Sequence, residues 1–136
     1  MPLTSFQHTV RVYYEDTDAG GIVYYANYLK FFERARTEWL RALGINQSIF
    51  LEQNIGFVVT KVAMDNKASA KLDDLLTITT TIKQLKSASV VFSQQLINQN
   101  ELTLCTVEIK VACVDFSTAK PCIIPKSILG AFKRVS

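Results

Sequence analysis

The stretch Asn27-Tyr28-Leu29-Lys30-Phe31-Phe32-Glu33-Arg34-Ala35-Arg36-Thr37-Glu38-Trp39-Leu40-Arg41-Ala42-Leu43 decides the fold. Tyr28, Phe32, Ala35, Trp39 and Leu43 recur at spacings of four and three, which draws one apolar stripe along a helix. Lys30, Arg34, Thr37, Glu38 and Arg41 fall largely on its other faces. Phe31 and Leu40 widen the apolar surface beyond a single stripe, as suits a helix wrapped on several sides by a sheet. Asn27 reads as its N-cap, and Gly44 as the residue just past its end.

Upstream, residues 6–14 read as a β-strand with Phe6, His8, Val10, Val12 and Tyr14 on one face. The turn Glu15-Asp16-Thr17-Asp18-Ala19-Gly20-Gly21 follows, where Gly20-Gly21 permits close backbone approach or positive φ. Ile22-Val23-Tyr24-Tyr25 then leads into the helix. Downstream, a short helix covers Gln47 to Gln53, and four strands come after it. They are Phe57 to Met64, Leu76 to Lys83, Ala88 to Leu96, and a last strand whose inner face is Cys105, Val107, Ile109, Val111 and Cys113. Turns fall at Lys86-Ser87 and at Asn98-Gln99-Asn100-Glu101. Pro121 and Pro125 end the last strand, and Ile128 to Phe132 form a terminal helical turn. This order predicts an α+β architecture, an antiparallel meander around one long helix. No repeat, linker or low-complexity stretch divides it.

Composition sets the outer bounds. With 136 residues, 49% hydrophobic and 20% charged, the chain has the size and balance of one globular domain with a real core. No apolar run approaches the ~20 residues that span a bilayer, so no transmembrane segment is expected. The start, Met1 to Phe6, carries neither a basic nor an apolar leader region, and secretion is not expected. The net charge of +3 is mild and its Lys and Arg are scattered, which argues against nucleic-acid binding. Three cysteines, an odd count, argue against a disulfide framework. Cys105 and Cys113 lie eight residues apart in one strand, roughly 26 Å at ~3.3 Å per residue. A disulfide needs Cα atoms within about 7 Å, so these two cannot bridge while extended. Cys122 has no partner that the sequence identifies. Reduced thiols in a cytoplasm fit best.

Asp16 and Asp18 lie in a turn that leads to a helix N-terminus, where unsatisfied N–H groups carry about half a positive charge. That end can stabilise an oxyanion forming on a carbonyl. A carboxylate close by can attack the carbonyl or activate a water against it. An ester or amide also needs an acid for its leaving group, whereas a thiolate leaves readily because its conjugate acid has a pKa near ~8.5. One carboxylate and one helix N-terminus are therefore a sufficient minimum for cleaving a thioester. Asp-rich turns before helices usually serve as caps or solvated loops, however, so the residues alone do not single out this use. The only histidine, His8, sits on a strand. There is no Gly-x-Ser-x-Gly motif for a serine triad. No His, Cys or carboxylate cluster has metal-ligand spacing.

The segment from Tyr14 to Tyr28, with Asp16-Thr17-Asp18-Ala19-Gly20-Gly21-Ile22-Val23-Tyr24-Tyr25-Ala26-Asn27 at its heart, closely resembles the signature of the 4-hydroxybenzoyl-CoA thioesterase family. Leu29 to Glu38 looks like the YbgC-type branch, acyl-CoA thioesterases associated with the Tol–Pal system. So do Ala70-Lys71-Leu72-Asp73-Asp74-Leu75-Leu76, Val111-Ala112-Cys113-Val114-Asp115 and Lys120-Pro121-Cys122-Ile123-Ile124-Pro125. The resemblance runs almost end to end. It implies a hot-dog fold over residues 1–136, an antiparallel sheet of about five strands wrapped around the long helix. It also implies dimers that pair their sheets, commonly homotetramers, with active sites at the dimer interface. The family's catalytic carboxylate falls on Asp18, and the backbone N–H of its oxyanion site falls on Tyr25. Many YbgC-type members carry His where this chain has Tyr25, and tyrosine stands there in the 4-hydroxybenzoyl-CoA enzymes.

The expected activity is hydrolysis of an acyl-CoA, or of an acyl-carrier-protein thioester, to a carboxylic acid and a free thiol. Asp18 is the expected nucleophile or general base, with the Tyr25 N–H and the helix N-terminus polarising the carbonyl. Asn27 and Tyr28 shape the substrate pocket or cap the helix, Asp16 supports the turn, and Lys61 and Lys86 are candidate contacts for CoA phosphates. No metal or cofactor is expected, since CoA enters as part of the substrate. A hot-dog dehydratase needs a His–carboxylate pair, and His8 lies outside the motif. The alternative from another class is a scaffold that binds acyl-carrier protein without turnover.

Overall fold

The computed structural model of the chain describes residues 4–136. Strand β1 spans Ser5–Arg11, and a single 3-10 turn follows at Tyr14–Asp16. Helix α1 is Asn27–Ala42 and helix α2 is Gln47–Glu52. Then come β2 (Ile55–Asn66), β3 (Leu75–Leu85), β4 (Ser89–Ile97), β5 (Thr103–Asp115), β6 (Lys120–Pro121) and helix α3 (Lys126–Val135). Every strand pairing is antiparallel, in the order β1-β3-β4-β5-β2, with β6 added against β5.

Helix α1 buries Tyr28, Phe31, Phe32, Ala35, Arg36, Trp39 and Leu40. The wide apolar face read from the sequence is therefore real, and each fully buried Phe contributes about 1.5–3 kcal/mol. Trp39 stacks on Phe6 of β1 with ring centroids 6.2 Å apart and meets Phe92 of β4 edge-on at 6.4 Å. The helix ends in a Schellman motif. Gly44 adopts φ 83°, its N–H donates to Arg41, and the Ile45 N–H donates to Leu40. Its start differs from expectation, because Ala26 is the cap residue and Asn27 is already in the first turn.

Three further readings change. Strands β3, β4 and β5 form the expected meander, but β2 does not lie beside β3. It pairs with β5 at the far edge of the sheet, where residues 58–66 are exposed or half-buried. The chain must therefore return across the end of the sheet, through a strap at 67–74. Backbone bonds from Lys67 and Ala68 to the Leu104 carbonyl, and between Val12 and residues Asp73 and Asp74, hold this strap. The terminal helical turn is longer than expected, a ten-residue helix that buries Ile128, Ala131, Phe132 and Val135. Phe132 meets Phe92 edge-on at 5.9 Å, so α3 lies on the same face of the sheet as α1. β1 is also shorter than residues 6–14, and Tyr14 is 83% exposed rather than facing inward.

Cys105 and Cys113 face the core from β5, as their alternation predicts. Cys122 has a partner after all, because the β5–β6 pairing sets its Sγ 3.3 Å from that of Cys113. No described helix is long and apolar enough to cross a membrane.

Candidate active site

The turn carrying Asp18 is closed by its own backbone. The Asp18 N–H donates to the Ile22 carbonyl at 2.9 Å, and the Gly21 N–H donates to the Asp18 carbonyl at 3.1 Å. Gly21 sits at φ 78°, a conformation that a side chain would strain. The Gly20 N–H donates to Asp18 Oδ1 at 2.8 Å, which fixes one carboxylate oxygen, while Oδ2 accepts no hydrogen bond among the described residues. Asp18 is exposed to solvent.

One strut ties this turn to the start of α1, and a bridge closes its two arms. Asn27 Nδ2 donates to the Asp16 carbonyl at 2.9 Å, which is what its side chain does in place of capping. Thr17 and Val23 form a β-bridge across the turn. Asp16 itself accepts the Tyr13 N–H at 2.8 Å on Oδ2 and so closes the 3-10 turn. Tyr25 lies in the turn entering α1. Its carbonyl accepts the Tyr28 N–H at 3.1 Å, while its own N–H meets no acceptor among the described residues. The Tyr25 side chain is 55% exposed and packs on Tyr24 with ring centroids 4.9 Å apart.

Tyr28 points the other way, into the core. Its hydroxyl accepts the Ala70 N–H at 2.8 Å, while the Ala70 carbonyl accepts the Val23 N–H at 2.8 Å. The strap is thereby stitched to both the helix and the segment entering it. Burial pushes the Tyr28 phenol up, which keeps it neutral. An open groove of about 290 Å³ beside Tyr25 is lined by Val23, Tyr28, Asn66, Ala68 and Ser69, among others.

The expected site residues thus divide. Asp18, Tyr25 and Asn27 gather at one end of α1, and Tyr28 supports them from below. Lys61 lies on β2 opposite Lys110, and Lys86 in the β3–β4 turn. Both are exposed, and neither bonds to the Asp18 turn.

Sequence reasoning missed a buried polar network. Arg36 donates to Gln94 Oε1 at 2.9 Å, and Gln94 Nε2 donates to the Phe32 carbonyl and to Thr80 Oγ1, both at 2.9 Å. Burial lowers the Arg36 guanidinium to about 10. It borders a cleft of about 90 Å³ between α1, β2 and the central strands, walled by Leu40, Phe57, Phe92 and Phe132. The visible signal was Gln94, a polar residue on an otherwise inward apolar face.

A curled antiparallel sheet around one long helix, with an acid in the turn before that helix, defines a hot-dog fold of the thioesterase kind. The family model of the thioesterase-like superfamily matches residues 12–132, and the chain belongs to that superfamily. It is 52% identical over 128 residues to the acyl-CoA thioesterase YbgC of Haemophilus influenzae, covering 93% of each chain. It is 46% identical over 134 residues to the acyl-CoA thioester hydrolase YbgC of Escherichia coli, covering 98% of this chain and all of that one. A 1,4-dihydroxy-2-naphthoyl-CoA thioesterase from Synechocystis shares the fold, with a TM-score of 0.89 at 20% identity over 95% of this chain and 96% of that one.

Proposed function

We propose that this protein hydrolyses acyl-CoA thioesters to a carboxylic acid and free CoA, with Asp18 as nucleophile or general base. The observation that carries this reading is the pairing of an exposed, backbone-fixed carboxylate at Asp18 with the unengaged N–H of Tyr25 at the head of α1. The near end-to-end likeness to acyl-CoA thioesterases supports it.

The thioester carbonyl lies over the head of α1, its oxygen accepting from the Tyr25 N–H. Asp18 Oδ2 attacks the carbonyl carbon, or removes a proton from a water that does. The electron pair moves onto oxygen and is held there by the N–H and the helix dipole. Collapse of this intermediate expels the thiolate, which needs no protonation to leave. If Asp18 attacks directly, water then cleaves the resulting anhydride.

The groove beside Tyr25 receives the atoms next to the carbonyl, with Asn27 and Tyr28 setting its walls. Lys61 and Lys86, remote within one chain, reach a CoA phosphate only across an interface. β2 offers that interface. It is a twelve-residue edge strand with an open side, and Val59 and Val62 are 50% and 41% exposed on it. Two copies pairing along β2 form a homodimer with a continuous sheet, and dimers pair into the homotetramer. The three free thiols fit a single-domain protein acting in the cytoplasm.

A thiol-release panel across short aliphatic, long aliphatic and aromatic CoA esters, with acyl-carrier protein loaded with the same acyl groups, tests the reading. Turnover of at least one CoA ester supports it. Binding of acyl-carrier protein with no thiol released from any substrate would replace it with the scaffold reading.

A further inference from the structure

The reaction above uses no sulfur of the protein, yet Cys113 and Cys122 stand Sγ to Sγ at 3.3 Å. Val114 pairs with Pro121 and Asp115 with Lys120, so the register sets Cys113 directly opposite Cys122. The Cys122 N–H also donates to the Cys113 carbonyl at 3.0 Å. Directly opposed residues of an antiparallel pair keep their Cα atoms about 4.5–5.5 Å apart. That lies inside the roughly 4.4–6.8 Å span that a disulfide accepts. The sulfurs need to close by a little over ~1 Å to reach bonding distance.

The two thiols differ in access. Cys113 is fully buried, and burial, then its neighbour Cys122, pushes it up to about 12. Cys122 is half-buried between the exposed residues Pro121 and Ile123. An attacking reagent therefore meets Cys122 first. Cys105 is fully buried farther along β5 and has no thiol beside it.

We propose that Cys113 and Cys122 form a reversible redox modification site, which closes to an intramolecular disulfide when a small-molecule disulfide reaches Cys122. Cys122 loses its proton to solvent, and its Sγ attacks one sulfur of the reagent R–S–S–R. The reagent's S–S bond breaks, one RS⁻ departs and takes a proton from solvent, and Cys122 carries a mixed disulfide. Cys113 Sγ then attacks Cys122 Sγ, and the second RS⁻ leaves with the proton that Cys113 gives up. Two protein thiols are oxidised, and one small disulfide is reduced to two thiols. The full burial of Cys113 makes the second step the slow one.

The new bond staples the β5–β6 hairpin from which α3 hangs. Ile124, two residues on, is buried and donates its N–H to the Ser87 carbonyl at 2.8 Å. The crosslink restricts the unfolded chain, so the oxidised protein melts a few degrees higher.

The test treats the reduced full-length protein with oxidised glutathione, then denatures it, alkylates it with N-ethylmaleimide and weighs it. Reduced protein takes up an alkyl group at each of its three cysteines, and oxidised protein takes up one, at Cys105. Trypsin does not cut the Lys120–Pro121 bond, so both cysteines stay on peptide 111–126, which loses two hydrogen atoms. Cys113→Ser arrests as a stable glutathione adduct at Cys122, and Cys122→Ser takes up no glutathione. Dithiothreitol reverses the mass change and the rise in melting temperature. Three alkyl groups on the treated protein, glutathione on Cys113 in Cys122→Ser, or a crosslink between two chains through Cys122 would each overturn the proposal.

Discussion

Asn27 Nδ2 donates to the Asp16 carbonyl at 2.9 Å, which fastens the first residue of α1 to the near arm of the Asp18 turn. Asp18 and Tyr25 both lie inside the loop that this bond closes. Together with the turn's own backbone bonds it fixes their separation.

Asn27→Ala removes the strut and leaves the helix intact. Stability should fall by about 1 kcal/mol, the net worth of one hydrogen bond. Thiol release should fall much further, about 10–100-fold in kcat, because a misplacement near 1 Å costs that much. Asn27→Asp should behave alike, since a carboxylate cannot donate. Steady-state kinetics beside a thermal melt separates the two effects.

The Arg36–Gln94–Thr80 network makes a prediction about stability alone. Gln94→Leu leaves the buried Arg36, the Phe32 carbonyl and Thr80 short of partners, and should cost about 3–5 kcal/mol. Replacing the charge as well, in Arg36→Met/Gln94→Leu, should recover much of that loss. Urea denaturation of both variants decides it. A double variant no more stable than the single one would show that Gln94 matters by shape.

Alkaline pH should destabilise the fold through its thiols. Burial holds Cys105 and Cys113 up at about 11 and about 12, against an ordinary 9.0. Over that interval the folded chain keeps protons that the unfolded chain releases, so stability falls as pH rises. The contribution is complete below about pH 9 and is lost through about pH 11 to 12. Arg36, lowered to about 10, acts with the opposite sign above that pH. Cys105→Ala isolates the thiol effect. Under reducing conditions its melting temperature should fall less steeply between about pH 9 and 10.5 than that of the parent.

What the sequence disclosed follows from the range of each interaction. The stripe from Tyr28 to Trp39 is local, repeats with the helix period, and was legible. So was the alternation of Cys105 to Cys113. The placement of β2 was not, because adjacency in sequence favours a hairpin and only the pairing of Ile55–Asn66 with β5 reveals the crossing. Gln94 was visible as a polar residue on an inward face, but its partner Arg36 lies 58 residues away. Gly130 and the preceding Pro125 concealed the length of α3, which burial of Ile128, Phe132 and Val135 stabilises. Asp18 itself sits in a turn like many others, and only the surrounding signature distinguished it from a cap.

Thiol release from an acyl-CoA by the protein and by Asp18→Asn, side by side, tests the role of Asp18 directly. Asparagine keeps an oxygen for the Gly20 N–H and so preserves the turn. A fall of at least about 100-fold in kcat is expected, with an unchanged melting temperature and oligomeric state. An Asp18→Asn protein that is folded, assembled and as fast as its parent would contradict it.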